Sequence, residues 1–191
     1  SVTFSNEINR DLVTLKAYSE FRAEAAGLGA RHFLEVFNPV FDIGVAQEDM
    51  GYFIGDSIVR LLAGVVSAEQ PVFLKLVYNG RRSMEALATY DPARLVVGIL
   101  GGAKGTTRDT FELISRAEQA GARVALFGRK INYAQQPIEL VRLMRAVIAR
   151  DLNAEEAVKA YHGVLQEKGI KPVLPLQDDL QVSDPILREE R

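Results

Sequence analysis

Arg94-Leu-Val-Val-Gly-Ile-Leu100 is the stretch on which the fold turns. It is a nearly continuous apolar run, the form a strand takes when a parallel sheet buries both its faces, and Gly101-Gly102 ends it. Similar runs recur on either side. Arg31-His-Phe-Leu-Glu-Val-Phe37 is closed by Asn38-Pro39, Pro71-Val-Phe-Leu-Lys-Leu-Val-Tyr78 by Asn79-Gly80, and Arg123-Val-Ala-Leu-Phe127 by Gly128-Arg129. Between and around them the apolar spacing turns helical, over about 7–26, 47–66, 82–88, 108–120, 137–150 and 154–168. Thr106 and Thr107, with Asp109 nearby, are positioned to cap the fourth of these, and Pro137 opens the fifth at an early helical position. The alternation of strand and helix predicts an α/β fold with parallel strands and right-handed crossovers. Four strands can be read.

The whole chain has 191 residues, enough for one packed domain. Its 23 Lys and Arg against 25 Asp and Glu argue against a general nucleic-acid or anionic-membrane binder, which would carry a basic surplus. The absence of Cys excludes a disulfide scaffold, thiol catalysis and a Cys-ligated metal, and fits a reducing, cytoplasmic setting. No apolar run is long enough to cross a membrane. After Gly169 the character changes: Pro172, Pro175 and Pro185 stand among acidic residues, so 171–191 reads as an extended tail, either a solvated terminus or an arm on a neighbouring subunit.

In parallel α/β folds chemistry sits at the C-terminal ends of the strands. Lys75 stands out, because its strand is otherwise free of charge. Alternation places Phe73, Lys75 and Val77 on one face. Burial of a lysine disfavours its charged form and leaves an amine able to attack a carbonyl. The alternative is a lysine whose stem packs while its ammonium pairs with a carboxylate such as Glu35. Glu35 itself either orients Lys75 and relays protons or serves only in that pairing. Gly101-Gly102 and Gly128-Arg129, one β-α unit apart, form a second constellation. Glycines between a strand and a helix let backbone N–H groups approach a phosphate, with Arg129 as a bidentate clamp and Lys104 as a point charge. Equally, these glycines simply make turns. The Walker spacing is absent from Gly101–Thr107. His32 begins a strand, His162 lies among polar residues, and neither points to a metal site.

In this order, the residues from about Val72 to Ile148 resemble the class I (Schiff-base) aldolases of the deoxyribose-phosphate aldolase and archaeal-type fructose-bisphosphate aldolase superfamily. The resemblance lies in the lysine strand Phe73–Tyr78, the strand end Val97–Gly102, the helix end Ala120-Gly-Ala122 and Phe127-Gly-Arg-Lys-Ile131 before the helix at Pro137. It implies a TIM (β/α)8 barrel of which 1–170 carries only the C-terminal four units, strands five to eight. It also implies that Lys75 forms the imine and that Gly101, Gly102, Gly128 and Arg129 hold the phosphate of a sugar substrate, with no cofactor and no metal. Phe37 stands where fructose-bisphosphate-type members carry a tyrosine acid/base, so Glu35 substitutes or the chemistry differs. The four missing strands and the initial Ser1 together imply a chain that is incomplete or shared, completed by a homo-oligomer or by a missing N-terminal half. The readings carried forward are a lyase acting on a phosphorylated sugar, a phosphate-binding barrel without turnover, and a half-barrel that acts in assembly.

Overall fold

The computed structural model of the protein describes residues 1–102 and 105–189. Lys104 lies outside them. The elements in chain order are β1 (Val2–Thr3), α1 (Ile8–Gly27), β2 (Leu34–Phe37), α2 (Met50–Leu62), β3 (Leu74–Leu76), α3 (Arg81–Tyr90) and β4 (Val97–Leu100). There follow α4 (Thr107–Gln119), β5 (Val124–Leu126), α5 (Arg129–Asn132), α6 (Pro137–Ala149), α7 (Ala154–Glu167), α8 (Leu176–Asp179) and α9 (Pro185–Glu189). They divide between two compact units, Ser1–Leu100 with Ala120–Val124, and Gly101–Gln119 with Ala125–Arg191.

The first unit is built on a sheet of order β1-β2-β3-β4-β5. β1 to β4 pair in parallel, with Val2 opposite Val36, Leu34 opposite Leu74 and Leu74 opposite Val97. This order never reverses. Right-handed crossovers between successive neighbours therefore carry α1, α2 and α3 over one face, the winding that β/α barrels share; a doubly wound sheet needs a reversal of order. Burial follows the same division. Leu34, Val36, Leu74, Leu76, Val97 and Ile99 share one face and are all buried, as are Ile54, Ile58 and Leu61 of α2 and Met84 and Leu87 of α3. Each such side chain contributes roughly 1.5–3 kcal/mol of transfer free energy. The opposite face, bearing Phe33, Phe37 and Val96, leaves those side chains 47, 40 and 36 % exposed.

β1 is a fifth strand, one more than the four read from the sequence, and so the count of four β/α units is corrected. A two-residue strand is too short to display a period of two. The helices fall close to their expected spans, except that α2 starts and stops inside 47–66: residues 47–49 form a 3-10 turn, and Gly64 (φ 74°) follows its end.

The second unit is helical. Thr106 and Asp109 cap α4 reciprocally, Thr106 N–H donating to the Asp109 carboxylate at 2.9 Å and Asp109 N–H to the Thr106 hydroxyl at 3.1 Å. Asn153 and Glu156 form the corresponding box at the start of α7. The segment expected to be an extended tail is instead folded: it forms α8 and α9 and buries Asp179, Val182 and Leu187. The reason is hydrogen bonding to the start of α4, since Thr106 donates to the Gln181 carbonyl (2.7 Å) and Ser183 N–H to Asp109 (2.7 Å).

Candidate active site

Lys75 and Glu35 stand directly opposite each other on β3 and β2, so their side chains leave the sheet on the same face. Lys75 Nζ lies 2.6 Å from Glu35 Oε1, with the two side chains 23 and 20 % exposed. The face is the one anticipated from alternation, because Phe73 stacks on Phe33 at 4.9 Å with ring planes 8° apart. Thus the ammonium is both flanked by apolar surface and paired with a carboxylate. The pair is half-open to water, where an ion pair is worth far less than in a dry interior, and it supplies a nucleophile and a proton acceptor in contact.

On its other side Lys75 faces Gly98 of β4. A Cβ at Gly98 would sit 2.6 Å from the Leu74 carbonyl oxygen and 3.1 Å from Val124 Cβ, so only glycine fits this register. We expect Gly98→Ala to destabilise the first unit by about 2 kcal/mol or more through overpacking, read from the urea midpoint. An unchanged midpoint would mean that β4 and β3 are not this close.

At the C-terminal ends of β2 and β3, Asn38 and Asn79 exchange two amide hydrogen bonds, at 2.7 and 3.0 Å. In the sequence they read only as turn punctuation; their signal is a shared position, each following its strand beyond Glu35 and Lys75. Phe37, opposite Thr3 on β1, is exposed. His32 is held by the Tyr18 hydroxyl at 3.0 Å, and burial followed by the Arg22 charge lowers its basicity. Burial pushes the Tyr18 hydroxyl up to about 12, with Arg22 opposing.

The other expected residues, Gly101, Gly102, Gly128 and Arg129, belong to the second unit. Gly102 has φ 67°, and a Cβ at Gly101 would press on the Phe127 ring at 3.0 Å, so both have reasons to be glycine within the fold. Gly128 does not: its φ is −88° and a Cβ there would meet nothing within 4 Å. His162, read as uninformative, is in fact half-buried against Asp179, Nε2 to Oδ2 at 2.8 Å. A pairing across 17 residues leaves no local trace in the sequence. Among the described residues no group of three His, Asp or Glu is placed to hold a metal ion, and no helix is long and apolar enough to cross a membrane.

No protein-family model matches the chain. It is similar to the 3-hydroxy-5-phosphonooxypentane-2,4-dione thiolase of Yersinia enterocolitica, 32% identical over 108 residues, which are 56% of this chain and 35% of that protein. It is also similar to the protein of the same name from Salmonella paratyphi A, 29% identical over 136 residues, 71% of this chain and 44% of that one. The chain thus spans less than half the length of these curated relatives.

Proposed function

We propose that this chain carries the nucleophile of a carbon–carbon lyase acting on a phosphorylated carbonyl compound, a sugar phosphate or a short phosphorylated dione, through a Schiff base on Lys75. The observation that carries the reading is the Lys75–Glu35 contact on a half-open sheet face. Glu35 takes a proton from the ammonium, and the freed amine attacks the substrate carbonyl carbon. The carbonyl oxygen gathers two protons, the one Glu35 took and one from the attacking nitrogen, and leaves as water, so that the iminium forms. A hydroxyl on the β carbon (in a dione, that of the hydrated second carbonyl) gives its proton to Glu35. Its oxygen pair forms a new carbonyl as the Cα–Cβ bond breaks, and the iminium takes up the pair of that bond to become an enamine. Protonation of the enamine carbon and hydrolysis then free the second fragment and Lys75.

The relatives' name supports the substrate class, since it combines a phosphate ester with a dione. Their thiolase label also bears on the nucleophile. An acyl-enzyme on cysteine is closed to these 191 residues, which contain no Cys, whereas a lysine imine is open. We assign the phosphate to Gly101, Gly102, Gly128 and Arg129. Gly128 favours this, because among the described residues no neighbour asks for glycine there, while a backbone approached by an anion does. The test is solvent-deuterium exchange at the carbon next to the carbonyl of a phosphorylated ketone: imine–enamine exchange labels that carbon, and simple binding does not.

A binding protein without turnover is the second reading, favoured by the ion pairing of Lys75 with Glu35 and by Phe37 in place of a hydroxyl. It predicts ligand binding with no exchange.

We further propose that the sheet is an arc of a (β/α)8 barrel completed by further strands from a second copy or another polypeptide, which would cover Phe33, Phe37 and Val96. Light scattering at micromolar concentration should then report association; a stable monomer would contradict this.

A further inference from the structure

The second unit has an open cavity of about 460 Å3, a size that accommodates a small organic molecule. Apart from Arg129, the reaction above makes no use of its walls, which come from the start of α4, from α5 and the turn after it, from Leu140 of α6, from the second half of α7, and from residues 172–174 with Asp179. Its chemistry is lopsided. Arg129 and Lys130 both line it, and neither has a hydrogen bond or ion pair among the described residues. Three carboxylates of this unit, Asp109, Asp179 and Asp184, are already engaged by the fold. Asp179 holds His162 and the Thr107 N–H (2.7 Å), Asp109 takes three backbone N–H groups and the Ser183 hydroxyl, and Asp184 accepts from Ile186 N–H. Burial lowers the basicity of Lys130, with Asp109 and Asp184 opposing, as expected of a cation that lacks a direct partner. Tyr161 accepts the Gln136 N–H at 2.9 Å and keeps its own hydroxyl proton to donate. Thr106, Thr107, Gln135 and the His162–Asp179 pair add polar lining. Leu140, Leu165, Val173 and Leu174 supply an apolar part, of which Leu140 and Leu165 are buried.

Two cations without a partner among the described residues, in a cavity that also presents apolar side chains, define a ligand. We propose that this cavity binds an organic anion, a phosphate ester or a carboxylate, whose charge meets Lys130 and Arg129 while its apolar body lies against Leu140 and Leu165. Such a molecule gains charge-assisted hydrogen bonds and apolar burial together, whereas a bare inorganic anion gains only the first.

The experiment is titration calorimetry on the chain with phenyl phosphate, benzoate and inorganic phosphate. None of these can form an imine, so the outcome is independent of the role of Lys75. At least one organic anion should bind ten-fold or more tightly than inorganic phosphate, and whichever of the two binds better identifies the ligand as phosphate ester or carboxylate. Lys130→Gln should weaken that binding at least ten-fold and Lys130→Arg should restore most of it, with thermal melts verifying that both variants are folded; Lys75→Ala should leave it unchanged. Binding of inorganic phosphate as tight as that of the organic anions would overturn the proposal. So would indifference to Lys130→Gln, loss of binding in Lys75→Ala, or no binding by any of the three.

Discussion

Lys75→Ala is expected to reduce deuterium exchange into a phosphorylated ketone by about 10³-fold or more, to the rate of the uncatalysed reaction, because among the described residues no other lysine stands opposite a carboxylate in the sheet. Glu35→Gln keeps the shape and removes the proton acceptor, and should cost about 10²–10⁴-fold, the range of general acid–base catalysis. The pair also predicts where the loss appears. Removing the nucleophile abolishes exchange at every pH, whereas removing Glu35 leaves a slow reaction that hydroxide accelerates. Equal, pH-independent exchange in wild type and Lys75→Ala would place the chemistry elsewhere.

The largest stability effect is expected at Asp109. Its carboxylate accepts the N–H groups of Thr106 (2.9 Å), Ser183 (2.7 Å) and Asp184 (3.2 Å) and the Ser183 hydroxyl, joining the start of α4 to the C-terminal segment. Hydrogen bonds to a charged acceptor are worth roughly 1.5–3 kcal/mol, and unmade buried donors add a penalty. Asp109→Ala should therefore destabilise the second unit by about 3 kcal/mol or more and expose residues 180–189 to proteolysis. Burial pushes the carboxyl up, but the hydrogen bonds from Ser183, Asp184 and Thr106 outweigh it and leave its pKa below the ordinary aspartate range. A depressed folded pKa contributes stability at neutral pH that is lost as pH falls through it. The gap between wild type and Asp109→Ala should thus be full above about pH 5 and should close in stronger acid. A constant gap, or none, would remove Asp109 from this role.

How much of this was legible in the sequence depended on the range of each interaction. The parallel α/β fold and the shared face of Phe73 and Lys75 follow from periods of two and 3.6, and the carboxylate named as an alternative partner for Lys75 is the one it meets. Local caps such as Thr106–Asp109 were equally readable. β1 was not, having two residues and no period, and neither was the folding of 171–189. Its Pro and acidic content resembles a solvated tail, but Asp179 and Ser183 find partners 72 and 74 residues away. The Asn38–Asn79 exchange and the His162–Asp179 pair stayed hidden for the same reason. The cavity beside Lys130 depends on which carboxylates are already occupied, a property that exists only once the chain is folded.

The central claim is the imine on Lys75, and borohydride trapping followed by peptide mapping tests it most directly. Incubation with a phosphorylated ketone and borohydride should add one reduced substrate mass to the peptide containing Lys75, and Lys75→Ala should acquire none. A chain that binds the ketone phosphate yet stays unmodified at Lys75, or is modified equally in the alanine variant, would contradict the account.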